Sequence, residues 1–375
     1  MANQNTQHAA QTAHANNLTR PPHQTASHMA SSPMASVRPQ PRLIVHKPPK
    51  RWSANLQRAM GEAQEAGRCL ITSGEVRRTV RDRTATGEFT QIMPGIYYPT
   101  DAWNQLSVQG QTLMLLRSLQ IQHPQWVFTG MHAAMLHNLY YSTLVLGKRG
   151  IHILTTRGTG PADRTHVKRH HVAAIEYEEI QGIKVATGAR TVVDCANNYE
   201  FRDALGVADS YLRSGGYFAD IYAAANDHCT PQLVDVLRYT DQASESGGES
   251  FSRGTMIEMG YVVPLLQVVI CVQPENQMRR LDYVWILPDG TWQVFECDGM
   301  QKYVDPETNR IINNRVSDQL LRDKQILETG VRKVTHFTVP EAINKAPLRR
   351  KLADAGIPKA SNFPRIAPLL NKHGN

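Results

Sequence analysis

The spacing of apolar positions changes three times along the chain. From Met1 to about residue 48 no periodic apolar pattern occurs, and Ala, Gln, Asn, His, Ser, Thr and Pro dominate. Such a segment buries too little to offset the entropy of ordering, which predicts a disordered tail. Order begins near Trp52, where Leu56, Met60 and Ala63 mark one face of a helix running to Gly67. Ser73 then stands where a cap belongs for a second helix, "GEVRRTVRDRT". In "EFTQIMPGIYYPT", Phe89, Ile92, Ile96 and Tyr98 flank a Pro-Gly turn, the pattern of a short β-hairpin. Helix, basic helix and hairpin follow each other as in a winged-helix unit, whose helix enters the major groove while the wing touches phosphate. Arg77, Arg78, Arg81 and Arg83 are the candidate DNA contacts. The same four arginines also suit a solvated surface helix.

From Ser107 to about Tyr222 helical and strand patterns alternate. "GQTLMLLRSLQIQ" reads as a helix, "VFTGMHAAMLHNL" as a strand running into a helix, and "RGIHILTT" as a strand. "THVKRHHVAAIEYEEIQGIKVAT" suggests two strands, and "ARTVVDCANNYEFRDALGVADSYLRSGG" two helices ended by Gly-Gly. No nucleophile and base pair up in this region; His132, His137 and the Lys168–His171 knot read as structural or surface features. The turn formers of "YTDQASESGGES" mark a soft boundary.

Beyond it, "ESFSRGTMIEMGY" is a helix opened by Glu249. "LLQVVICVQ", "RRLDYVWIL" and "TWQVFEC" are strands, "PDG" is a tight turn, "NRIINNRVSDQLLRDKQILETG" is an amphipathic helix, and "RKVTHFTV" is a last strand. The expected architecture is multidomain, mixed α+β and α/β. A tail occupies 1–48, a winged helix 49–100, an α+β middle domain 101–225, a linker 226–248, an αβββαβ domain 249–345 and a C-terminal tail 346–375.

Charge and cysteine usage refine this picture. The formal net charge is +8, and Met1–Gly61 holds seven basic residues and no acidic one, leaving only +1 for the rest. An electrostatic grip on a polyanion therefore begins in the N-terminal arm. The five cysteines are scattered with no C-x-x-C pair, which argues against a zinc site or disulfide framework and for reduced thiols. No apolar stretch approaches the ~20 residues that span a bilayer. A soluble, cytoplasmic protein is expected, with no membrane partner.

The third strand of the C-terminal region ends in "VFECDGMQKY". Asp282 falls on the preceding strand and Glu296 fourteen residues later across the hairpin, so alternation of side chains can bring both to one edge of the sheet, with Asp298 pointing as Glu296 does. Three converging carboxylates repel unless a cation sits among them, and a hard oxygen site suits Mg²⁺ or Mn²⁺. Such an ion lowers the pKa of a bound water and stabilises charge on a phosphodiester. Lys302, four residues past Asp298, is the candidate for orienting water or neutralising charge. Read singly, Asp298-Gly299 also suits a plain turn.

The Asp282, Glu296, Asp298, Gly299 set, preceded by a glutamate-led helix and followed by a long helix carrying "RD", resembles the PD-(D/E)XK nucleases over about Glu249 to Pro340, in particular the domain related to very-short-patch-repair endonucleases. The resemblance implies that Asp282 and Glu296 are metal ligands and that Asp298 occupies the place of the motif's lysine. It further implies that Glu249 supports the metal shell and that Lys302 stands where relatives have a histidine or lysine, with Lys324 as another source of that function. "FTQIMPGIYY", "TGMHAAMLHNL" and "ARTVVDCANN" are similar to stretches of the AbiEi-type antitoxins, winged-helix regulators of type IV toxin–antitoxin systems, over about residues 52 to 222. That likeness implies DNA as ligand and a toxin or a second copy of the chain as partner. Two functions are thus expected: a metal-dependent DNA endonuclease, and a non-cleaving regulator that keeps the nuclease-like fold for binding.

Overall fold

A computed structural model describes residues 52–147, 150–157, 166–226, 229–274, 276–298 and 313–360, all within one unit, Leu43–Asn375. The expected N-terminal tail, Gly299 and Lys302 lie outside the described residues. The chain is a mixed α+β protein. Among the described residues no helix is long and apolar enough to cross a membrane.

The N-terminal elements are α1 (Ala54–Glu65), β1 (Leu70–Ile71), α2 (Gly74–Ala85), β2 (Phe89–Met93) and β3 (Ile96–Pro99). Ser53 caps α1 by accepting from the Leu56 N–H, and the buried Leu56, Met60 and Ala63 form its core face. The strands form an antiparallel sheet in the order β1-β3-β2.

The middle of the chain comprises α3 (Thr100–Gln105), α4 (Val108–Gln122), β4 (Val127–Phe128), α5 (Met131–Leu136), α6 (Thr143–Leu146), β5 (Ile151–Thr155), β6 (Val167–His171), β7 (Tyr177–Ile180), β8 (Ile183–Ala186), α7 (Gly188–Asn198), α8 (Phe201–Arg213), α9 (Phe218–Ala225) and α10 (Pro231–Tyr239). Its sheet runs β6-β5-β4-β8-β7, with β7 outermost. Where two strands were expected between Thr165 and Thr187 there are three, because the apolar Val172–Ile175 segment packs as a connection beside Leu154 and splits the run. The stretch expected as a linker, 226–248, carries α10: Thr230 caps it, Pro231 opens it, and Leu233, Val236 and Leu237 bury one face. One apolar cluster extends from Trp52 through Phe89, Leu116 and Phe128 to Val207, so the expected boundary near residue 100 is no break in the core.

The C-terminal part contains α11 (Gly247–Glu258), β9 (Leu265–Val272), β10 (Gln277–Ile286), β11 (Trp292–Asp298), α12 (Asn313–Leu327), β12 (Val331–Thr338), α13 (Val339–Asn344) and α14 (Ala346–Asp354). Its sheet has the order β12-β11-β10-β9, antiparallel except for β12, which returns parallel to β11 after α12. Two cores sandwich it. Phe251, Tyr283, Trp285, Phe295 and Phe337 pack on the α11 side, and Leu281, Val284, Val294 and Val331 pack with Ile326 of α12 on the other. The expected C-terminal tail instead begins with α14, whose Leu348 and Leu352 are fully buried.

Candidate functional site

Of the carboxylates singled out in the sequence, Glu296 and Asp298 stand at the end of β11, Asp282 in the middle of β10 where its pairing with β11 stops, and Glu249 on α11; the strand register decides what each one meets. Leu281 and Val284 both face α12 while Tyr283 and Trp285 face α11, so the alternation of β10 is reset at Asp282. The cause is local. Neither neighbour gives Asp282 a Cα partner: pairing with β9 passes from Leu281↔Val268 to Tyr283↔Leu266, and pairing with β11 stops at Tyr283↔Phe295. Opposite it on β9, Gln267 adopts a φ of 52° in the left-handed region, while the register on either side of the two residues is unchanged. Freed from the ladder, Asp282 accepts the Cys297 N–H through Oδ2 at 2.9 Å.

Glu249 lies on the same side as Asp282. It occupies the third position of α11 and closes a reciprocal cap, its N–H donating to Ser246 Oγ at 3.1 Å while Oε1 accepts from that hydroxyl at 2.8 Å. Oε2 accepts from the Glu245 N–H at 2.9 Å and from Gln267 Nε2 at 3.1 Å. Burial raises the Glu249 carboxyl above the usual range, and the nearby charges of Asp282 and Glu245 add to the rise against those hydrogen bonds. Between them, the Cys297 thiol is pushed up to about 12, by burial first and then by Asp282, Glu249 and Asp298, which keeps it an unreactive thiol.

Glu296 and Asp298 face α12. Glu296, only 5 % exposed, takes Arg322 Nη2 at 3.3 Å on Oε2; the same Nη2 donates to the Arg280 carbonyl at 2.8 Å. Asp298 Oδ2 lies 3.1 Å from His336 Nδ1, and His336 Nε2 lies 2.9 Å from Asp323 Oδ2. Glu296 and His336 are Cα partners in the parallel β11–β12 pair, which puts the imidazole beside the strand end and between two acids. Burial pulls the His336 pKa down, but the hydrogen bonds and charges of Asp298 and Asp323 outweigh it, and the net shift is upward.

The acidic groups are therefore divided. Asp282 and Glu249 share the α11 side, Glu296 is held by Arg322, and Asp298 is held by His336. Among the described residues, no group of three or more His, Cys, Asp or Glu side chains is arranged to hold a metal ion. Lys324 is 73 % exposed and pairs with Glu328 at 3.9 Å, away from Glu296. Among the described residues, the guanidinium that reaches Glu296 is that of Arg322, to which sequence reasoning gave no role. Its signal was present: Ile326 is buried, and Gln319 and Arg322 precede it on the same helical face.

The basic helix also divides its arginines. At 100° per residue, Arg77, Arg78 and Arg81 fall within an arc of about 100°. They are exposed and make no salt bridge among the described residues. The buried Val80 lies outside that arc and turns the helix onto the core. Arg83 instead donates to Glu88 Oε2 at 2.7 Å, and Glu88 Oε1 accepts Trp52 Nε1 at 2.7 Å, so Arg83 ties α2 to β2 and to the start of α1. Compared with protein-family models, curated proteins and solved structures, the chain matches none.

Proposed function

We propose that the chain is a DNA-binding protein in which a winged-helix-like unit, residues 52–99, grips the duplex and the C-terminal helix-strand-strand-strand-helix-strand region is an endonuclease-like module. The observation that carries this reading is the arc of three exposed arginines on α2 that form no salt bridge among the described residues, beside a three-stranded sheet whose β2–β3 hairpin would serve as the wing. Arginine forks at this spacing suit successive phosphates or a guanine edge. The mixed C-terminal sheet, with acids on adjacent strands at Asp282 of β10 and at Glu296 and Asp298 of β11, supports the nuclease-like part of the reading.

An Mg²⁺ or Mn²⁺ ion does not fit the carboxylates as they stand. Arg322 pairs with Glu296, His336 holds Asp298, and Asp282 faces the other side of the sheet, where its Oδ2 accepts a backbone N–H. This partition favours the non-cleaving form of the proposal, a regulator of the antitoxin type, cytoplasmic and with reduced thiols, that pairs with a toxin or a second copy of itself. Hydrolysis of DNA is the second reading, favoured by the placement of Glu249 and Asp282 close together on the α11 side of the sheet.

The deciding experiment combines gel retardation of supercoiled plasmid with a nicking assay in Mg²⁺ or Mn²⁺, beside EDTA, Glu296→Ala and Asp282→Ala. Retardation without nicking supports the regulator. Nicking that needs both the metal and Glu296 supports the nuclease, and absence of retardation at low salt removes the DNA-binding reading.

A further inference from the structure

A second surface has the opposite chemistry to α2. A groove of about 780 Å³ opens between the β7–β8 hairpin, the start of α7 and α9, within the range of about 300–1,000 Å³ typical of ligand sites. Its floor is apolar, with Leu139, Leu154 and Val172 among the lining residues. Glu176 and Glu178 line it from the β7 side, and Asp220 lines it from α9. All three carboxylates are exposed, and none makes a salt bridge among the described residues. The cationic lining group is already engaged: Arg190 donates to Asp194 Oδ1 at 2.6 Å and to the Ala224 carbonyl at 3.3 Å. His137 Nε2 is taken up by the Ala186 carbonyl at 2.7 Å.

Two further observations give the groove a shape for its occupant. β7 is the outermost strand of the sheet β6-β5-β4-β8-β7, so one edge of its backbone is open to an added strand. Aromatic rings crowd the same place. Tyr211 lines the groove and donates to Asp220 Oδ2 at 3.5 Å, while Tyr177 of β7, Tyr217 at the N-cap of α9 and Tyr222 of α9 are 49 %, 71 % and 52 % exposed. The Tyr177 ring already has an ammonium 5.2 Å from its centre, that of Lys184. Carboxylates without a cation, beside exposed tyrosine faces, attract cationic side chains and repel a polyanion, so DNA is excluded here.

We propose that this groove binds an extended, lysine- or arginine-bearing segment of a partner protein, laid beside β7 with its cationic side chains against Glu176, Glu178 and Asp220. Apolar side chains of the segment cover the Leu154–Val172 floor. The proposal is independent of the DNA-binding reading.

The test uses the full chain and fluorescence anisotropy with two labelled eight-residue peptides, one alternating lysine with valine and one alternating glutamate with valine. The lysine peptide is expected to bind with an affinity that falls as salt rises, and the glutamate peptide is not. Glu178→Gln/Asp220→Asn is expected to weaken the lysine peptide on the order of tenfold, with plasmid retardation and thermal midpoint unchanged. Single Glu178→Lys, a surface change, is expected to act in the same direction. The proposal is overturned if the double variant binds the lysine peptide as the natural chain does, if the glutamate peptide binds equally well, or if neither binds at millimolar concentration. It is also overturned if spermidine alone displaces the peptide completely at equal charge concentration, which would assign the groove to small polycations.

Discussion

Arg253 of α11 donates from Nη2 to Asp209 Oδ2 of α8 at 2.7 Å, with side-chain exposures of 2 % and 0 %. Around this pair, Arg253 Nη1 donates to the Tyr239 carbonyl at 2.6 Å, and Asp209 Oδ1 accepts the Asp241 N–H at 2.8 Å. A charge pair so fully removed from water is held by geometry and by the hydrogen bonds that complete it. It joins the middle of the chain to the first helix of the C-terminal module. Arg253→Met, which leaves Asp209 buried without its cation, is expected to lower the unfolding free energy by about 3–5 kcal/mol. Asp209→Asn/Arg253→Met should recover much of that loss. Urea unfolding of the two variants measures both; a loss below about 1 kcal/mol in the single variant contradicts the assignment.

The arginine arc on α2 makes a separate prediction. Arg77→Ala/Arg78→Ala/Arg81→Ala should weaken binding to unrelated DNA sequences alike and flatten the dependence of log affinity on log salt by about 0.9 for each phosphate left without its arginine. Arg83→Ala should act differently, lowering the thermal midpoint because it frees Glu88 from α2. Anisotropy with a DNA duplex across a potassium chloride series, together with a melting curve, distinguishes the two. An unchanged salt slope in the triple variant would show that α2 faces no phosphate.

His336 gives the protein a stability term with a definite sign. Its pKa in the folded state is raised above the ordinary 6.5 because two carboxylates hold the imidazolium against the cost of burial. The folded chain then binds the proton more tightly than the unfolded one, so this contribution is fully present below pH 6.5 and is lost as pH rises through the raised value. His336→Gln should remove that part of the pH dependence, leaving a flatter curve of urea midpoint against pH above 6.5. Equal slopes in the two proteins would mean that Asp298 and Asp323 do not hold the proton.

The fourth expectation concerns a steric lock. A Cβ added at Gly206 of α8 or at Gly247 of α11 would collide with the ring of Tyr140, which packs against both the middle core and the C-terminal core. Gly206→Ala is expected to cost about 1–3 kcal/mol, as overpacking of a filled core does. Gly206→Ala in a Tyr140→Leu background should cost less, since the colliding ring is gone. A thermal melt of the four combinations gives the coupling.

Most of the C-terminal element order was legible because its signals were local: three apolar runs, the Asp289-Gly290 turn, and the helical spacing before Gly330. The same holds for α1, α2 and the Pro94-Gly95 hairpin. α10 and α14 were missed because polar turn formers around them outweighed short apolar faces, Leu233/Val236/Leu237 and Leu348/Leu352, that gain meaning only when a core is present to receive them. The division of the carboxylates was not legible at all. It depends on the reset of side-chain alternation at Asp282, and that depends on a left-handed backbone at Gln267, a residue type with no marked preference for it. The α2 arginines show the converse. Their abundance was plain in the sequence, but only the pairing with Glu88 separates Arg83 from the three that face outward.

Arg322 and Asp323 are consecutive residues of α12, yet they address different strands, Glu296 on β11 and His336 on β12. Because those two partners, the accepting Glu296 and the donating His336, are themselves register partners, a slide of α12 along its axis by one residue, about 1.5 Å, unfastens both pairings in the same movement. The protonation and charge of the β11 end are thus governed by the seating of a single helix, and the seam between α12 and the sheet behaves as one clasp rather than two.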